Sequence, residues 1–155
     1  MKHASVSMLR SEICAWINDQ EFTHALTLNT DRELSANRIS GIFSTFCHRI
    51  DKAVLGRNAQ SILSENRFRA TAFPENLQTN AHLHVAADLT EMHALCDYQT
   101  DSLEETLRRM WLRSTRGAGS IDVQEIRGAG WSSYMSKGFT RLDAPYFLSS
   151  QYHPS

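Results

Sequence analysis

Apolar residues recur along this chain with two periods, and the switches between them divide it into elements. From Ser5 to Asp19, Val6, Leu9, Ile13, Trp16 and Ile17 fall at helical spacing. From Phe22 to Thr30 the period drops to two, as in a strand: Phe22, His24, Leu26 and Leu28 share one face, and Thr23, Ala25, Thr27 and Asn29 the other. His24 lies among apolar neighbours and reads as a packed or capped histidine. Ile39, Ile42, Phe43, Phe46, Ile50 and Val54 then hold a helical stripe, with Asp31 or Ser35 as its cap and Gly56 as its stop. A polar connection follows over 57–65.

Arg67 to Phe73 reads as a strand ended by Pro74. Arg67, Arg69, Thr71, Phe73 and, should the strand run past the proline, Glu75 share a face. The polar link Asn76–Asn80 suggests a hairpin into Asn80–Leu89, where alternation is strict. There Leu83, Val85, Ala87 and Leu89 make an apolar stripe, and His82, His84, Ala86 and Asp88 face the other way. Ser102 or Asp101 opens a further helix, with Leu103, Leu107, Met110 and Trp111 as its buried stripe and Arg108, Arg109, Arg113 and Arg116 crowding its C-terminal half. Gly117-Ala118-Gly119 breaks it. Ser120–Ile126 resembles a short strand whose alternation slips, suggesting a bulge. A second glycine break precedes a short helix over Trp131–Phe139, and the tail has little pattern.

The predicted order is helix, strand, helix, strand, strand, helix, strand, helix. With hairpin pairing this is an α+β fold, an antiparallel sheet with helices packed on one face in the ferredoxin or RNA-recognition manner. The face bearing His82 and His84 would be the open one. The 155 residues suit a single domain over 1–155. An apolar content of 41% and a charged content of 21% are those of a folded soluble chain, and no run reaches the length of a membrane span. The N-terminus lacks the apolar core of a signal peptide. Cys14, Cys47 and Cys96 are scattered and odd in number, so they read as buried hydrophobes in a reducing cytoplasm rather than as a disulfide or zinc framework. A net charge of −1 means that any nucleic-acid binding must come from a local basic patch.

Two imidazoles side by side on a strand can hold a metal with one or two further ligands, or can be unrelated surface histidines. Glu75, near the entrance to the histidine strand in the predicted hairpin, would come within range of the same ion. The arginines around Arg113 and Arg116 are either a solvated helix end or a phosphate-contacting patch. Tyr134 and Lys137, three apart on a predicted helix, point the same way. A tyrosine hydroxyl, with a pKa near ~10, needs a nearby cation or a polarised target to act as a nucleophile.

Taken together and in order, Ala25-Leu26-Thr27-Leu28-Asn29-Thr30, His82-Leu83-His84 and Tyr134-Met135-Ser136-Lys137 resemble the three motifs of the HUH endonuclease superfamily, specifically its rolling-circle replication initiators. The resemblance spans about 22–139. It implies a metal-dependent single-stranded DNA nicking and joining enzyme. His82, His84 and Glu75 would hold Mg²⁺ or Mn²⁺, Tyr134 would form a covalent 5′-phosphotyrosine, and Lys137 would stabilise charge. Arg67 and Arg69, on the predicted active face, and Arg113 and Arg116 would contact DNA phosphates. The motif has one tyrosine, so a two-tyrosine scheme is not implied, and Tyr98, Tyr146 and Tyr152 lack the lysine partner. No Gly-x-x-x-x-Gly-Lys loop is present, so no helicase motor is expected. The implied partners are single-stranded or hairpin origin DNA of a plasmid, phage or transposon, with a separate helicase and polymerase and no membrane. The competing reading is a catalytically inactive single-stranded DNA-binding module on the same fold.

Overall fold

The structure is a computed structural model and describes residues 5–57, 59, 67–90, 92, 102–128, 130–136 and 144–153, with Tyr134 described by its backbone alone. Helix α1 (Val6–Asp19) starts at Ser5, whose hydroxyl accepts a hydrogen bond from the Met8 amide at 3.1 Å. Strand β1 is His24–Asn29. Of the two possible caps for α2 (Ala36–Leu55), Ser35 takes the role, accepting from the Arg38 amide at 3.2 Å. Gly56, at φ +88°, ends the helix in a conformation that favours glycine. Strands β2 (Arg69–Glu75) and β3 (His82–Asp88) form the expected antiparallel hairpin. Helix α3 (Leu103–Ser114) is capped by Ser102, not Asp101, which lies outside the described residues. Strand β4 (Ser120–Glu125), the short helix α4 (Trp131–Met135) and strand β5 (Phe147–Leu148) complete the described elements, followed by a 3-10 turn at Ser149–Tyr152.

The five strands lie in the order β4-β1-β3-β2-β5, and every neighbouring pair is antiparallel. The run β1-α2-β2-β3-α3-β4 is therefore a split βαβ arrangement, with β1 and β3 central. The α+β antiparallel fold expected from the periodicities is the one observed. Two local expectations are corrected. Strand β4 pairs with β1 without a slip from Ser120 opposite Asn29 to Glu125 opposite His24, so it has no bulge. Strand β2 continues through Pro74: among the described residues β5 pairs with Thr71 and Ala72, and none pairs with the outer edge of β2 at Pro74, where a proline would owe an amide.

The alternating faces pack on different partners. Leu26, Leu28, Ala70, Ala72, Leu83, Val85 and Ala87 point to the layer formed by α2 and α3. Phe46 sits at the centre of that layer, edge-on to Phe68 and Trp111 at centroid distances of 6.0 and 5.4 Å. On the other face, Ile17 and Phe22 from α1 and its following turn, Phe73, Ala86 and Met135 from α4 make a second, smaller cluster. The two long helices thus share one face as expected, while α1 and α4 cover one end of the histidine face. Within the tail, residues 144–153 are tied to the sheet and to α2 although the sequence there has little pattern. The Ser149 hydroxyl accepts from the Ala70 amide at 2.9 Å, and the Tyr152 hydroxyl meets that of Ser40 at 2.8 Å.

Candidate metal centre

The hairpin register decides the site. Glu75, the last residue of β2, stands directly opposite His82, the first of β3, and both point to the face that also carries His84. Cross-strand neighbours lie about 5 Å apart at Cβ, within reach of a carboxylate and an imidazole. Glu75 Oε2 is 2.7 Å from His84 Nε2 and 3.5 Å from His82 Nε2. The two imidazole rings stand edge-on with centroids 5.0 Å apart. One potential ligand atom from each residue falls within 4.8 Å of the others, near the about 4 Å that ligands of one ion span at bond lengths of about 2.1 Å. This cluster could hold a metal ion.

Its environment favours that use. His84 is only 3% exposed, whereas His82 and Glu75 are partly open to solvent, so the ion would sit on a firm floor with an accessible outer side. His82 Nδ1 lies 3.1 Å from the Asn80 carbonyl, a contact that orients the ring with Nε2 turned toward Glu75. An ion held by these three residues would keep further coordination positions for substrate or water.

The adjoining strand supplies residues that motif spacing did not mark. Thr27 is in register with His84 and Asn29 with His82. Asn29 donates from Nδ2 to the Ser120 hydroxyl at 3.2 Å, joining the rim of the site to β4. Alternation places these side chains on the polar side of β1, but only the β1–β3 register sets them beside the histidines. Gly119 makes the close approach of β4 possible. It has φ +87°, and a Cβ there would overlap the Asn29 backbone. The same Asn29 carbonyl accepts from the buried Trp111 Nε1 at 2.8 Å.

Helix α4, which carries the Tyr134 backbone, lies on the histidine face. Its neighbours Trp131 and Met135 pack with Phe73 and Ala86, and these flank His84, one across the β2–β3 ladder and one along β3. Arg10 of α1 holds α4 in place, donating from Nη2 to the Ser133 carbonyl at 2.8 Å, while Cys14 Sγ contacts the Ser136 hydroxyl at 3.3 Å. The side chain of Tyr134 and the whole of Lys137 lie outside the described residues.

The arginines fall in three different places. Arg67 is corrected: it is 4% exposed and donates from Nε to Asp51 Oδ2 of α2 at 2.9 Å, on the far side of the sheet from the histidines. Asp51 also accepts from the Phe68 amide at 2.7 Å, so this pair anchors the start of β2 and leaves Arg67 no reach to a DNA phosphate. Arg69 is on the histidine face but at the other end of β2, about 20 Å from Glu75 at strand rise. It is tied to Asp88 at 3.2 Å and the Gln20 carbonyl at 2.7 Å, with its guanidinium 4.7 Å above the Phe22 ring. Arg113 and Arg116 are exposed beside and just beyond the end of α3, in the layer behind the sheet.

No protein-family model, curated protein or solved structure gives a significant match to this chain. No helix among the described residues is long and apolar enough to cross a membrane.

Proposed function

We propose that this protein is a divalent-metal-dependent endonuclease that nicks and rejoins single-stranded DNA through Tyr134, in the manner of a rolling-circle initiator. The observation that carries the reading is the convergence of Glu75, His82 and His84 on the sheet face on which the Tyr134-bearing helix is packed. Bound by these three residues, Mg²⁺ or Mn²⁺ would act as a Lewis acid on the scissile phosphate, and two imidazole donors suit Mn²⁺ better than the strictly oxygen-seeking Mg²⁺.

The residues of the chain do the rest. Tyr134 forms the new O–P bond, the P–O3′ bond breaks, and the departing 3′ oxygen takes up a proton in place of the one lost by the phenol. The 5′-phosphate stays on Tyr134, and a second 3′-hydroxyl reverses the step to join strands. Lys137 would offset charge on the phenolate or phosphate. Origin DNA, already single-stranded or in a hairpin, would be the substrate, with strand separation and synthesis left to a helicase and a polymerase.

The test is incubation of end-labelled single-stranded and hairpin DNA pools with the protein and Mn²⁺, resolved on a denaturing gel. A covalent protein–DNA band is expected, lost with EDTA and in Tyr134→Phe. DNA retention with no covalent band in any pool would overturn the enzymatic reading and leave a binding module.

A further inference from the structure

Behind the sheet, a cleft of about 320 Å³ opens between α2 and the end of α3, lined by Arg32, Arg38, Gly41, Ile42, Thr45, Ser114, Thr115 and Arg116. Three arginines line it and, among the described residues, no carboxylate does. Its hydroxyls are already committed as donors: Thr45 to the Gly41 carbonyl at 3.1 Å, Ser114 to Met110 at 2.7 Å and Thr115 to Trp111 at 3.0 Å. Arg32 donates from Nη2 to the Thr115 carbonyl at 3.4 Å, which leaves its other N–H groups and those of Arg38 and Arg116 as donors for a ligand, and guanidinium groups match phosphate oxygens in fork geometry. Neither Arg38 nor Arg116 makes a side-chain ion pair with any of the described residues.

Arg116 also lines a second cleft with Arg108, Arg109 and Arg113, where the carboxylate of Glu105 is paired with Arg108 at 3.5 Å, so arginines continue past the span of a single phosphate. The rim of the first cleft is bonded to the metal strand. The Arg32 carbonyl accepts from the Ala81 amide at 2.8 Å, one residue before His82. A strand leaving the metal centre at that end of the sheet would meet the arginines next.

We infer that the Arg32–Arg38–Arg116 cleft binds backbone phosphates of a single-stranded nucleic acid that continues from the metal centre. The choice of nucleic acid as the phosphate bearer rests on the proposed nicking activity; the anion site rests on the cleft itself. Arg116 and Arg32 grip from the loop side and Arg38 from the first turn of α2, so recognition is of the backbone and indifferent to base sequence.

The experiment is fluorescence anisotropy with a labelled single-stranded oligonucleotide in EDTA, across a salt series, for the wild type, Arg38→Glu, Arg38→Glu/Arg116→Glu and His82→Ala/His84→Ala. Thermal melting confirms that each variant is folded, and Arg38→Glu, at an exposed helix position, keeps the test open should the double variant fail to fold. The arginine variants should bind at least about ten-fold more weakly, and the slope of log K against log salt should fall by about one for each phosphate that is no longer neutralised. The histidine variant should bind like the wild type in EDTA while losing the covalent band, which separates failure of this inference from failure of the nicking reading. Unchanged affinity and salt slope in folded Arg38→Glu and the double variant would overturn the inference. So would displacement of the oligonucleotide by millimolar inorganic phosphate with no slope change in the arginine variants, since that marks a site for a free anion.

Discussion

Glu75 is the residue on which the metal centre turns. Two histidines on one strand offer a weak pair of nitrogens, and the carboxylate opposite them brings the set to three potential ligands, one of them an oxygen donor. Removing that charge while keeping the shape should weaken binding without unfolding the hairpin. In the wild type, Mn²⁺ at a hundred times its dissociation constant should add about 2.7 kcal/mol of stability, read as a rise in melting temperature. Glu75→Gln should lose most of that rise and retain the metal-free melting temperature within a few degrees. An equal Mn²⁺-induced rise in Glu75→Gln would remove Glu75 from the site. Arg67 illustrates the opposite case. Its charge, set on the strand approach where DNA binding was expected, is consumed by Asp51 inside the protein. A buried pair of this kind is costly to break from one side, because the remaining charge stays desolvated.

At the scale of elements, the site depends on how tightly β4 closes on β1. Gly119 has a left-handed backbone, and its missing Cβ lets the chain pass against the backbone of Asn29, the cross-strand partner of His82. Gly119→Ala should cost about 1–3 kcal/mol from the positive φ alone, and more from overlap with Asn29. Denaturant unfolding should show the loss, and a Gly119→Ala protein as stable as the wild type would mean that β4 docks on β1 with room to spare. Helix α4 is the complementary case. At five residues it cannot hold itself together, and its position comes from Arg10 and from burial of Met135 against Phe73 and Ala86.

For the whole molecule, the C-terminal segment closes the fold over the α2 side. His153 there is set close to Asp51, Arg67 and His48, with its Nε2 3.9 Å from Asp51 Oδ2. Burial is the largest influence and pushes its pKa below the usual value; Arg67 and His48 push the same way, and Asp51 only partly opposes them. Because the folded imidazole releases its proton more readily than the unfolded one, the unfolded chain binds more protons between the two pKa values. Stability therefore rises with pH there, is complete above about 6.5 and falls as pH drops through the folded value. Melting temperatures between pH 7 and 5 should fall, and the fall should be shallower in His153→Gln. An identical slope in that variant would assign the acid sensitivity elsewhere. Cys47, buried beside this cluster, has its thiol pushed well up by burial and then by Asp51, so it acts as a packed hydrophobe, as its scattered position in the sequence suggested.

Much of this protein was legible in the sequence because the signals are local. Period-two and helical stripes marked out the elements, Gly56 marked a helix end, Ser35 and Ser102 were each one of two candidate caps, and a short polar link between two alternating runs made the β2–β3 hairpin, and with it the meeting of Glu75 and His82, a matter of register. Alternation also sorts side chains into two faces. It does not say what covers each face or which distant charge will arrive beside a given residue. Tertiary packing alone buried Arg67 against Asp51, carried α1 and α4 onto the histidine face, set Thr27 and Asn29 beside the histidines and drew Arg32, Arg38 and Arg116 around one cleft. Those arrangements join residues tens of positions apart, and they follow from burying the apolar faces of β1, α2 and α3 together, a requirement that no single stretch of chain expresses.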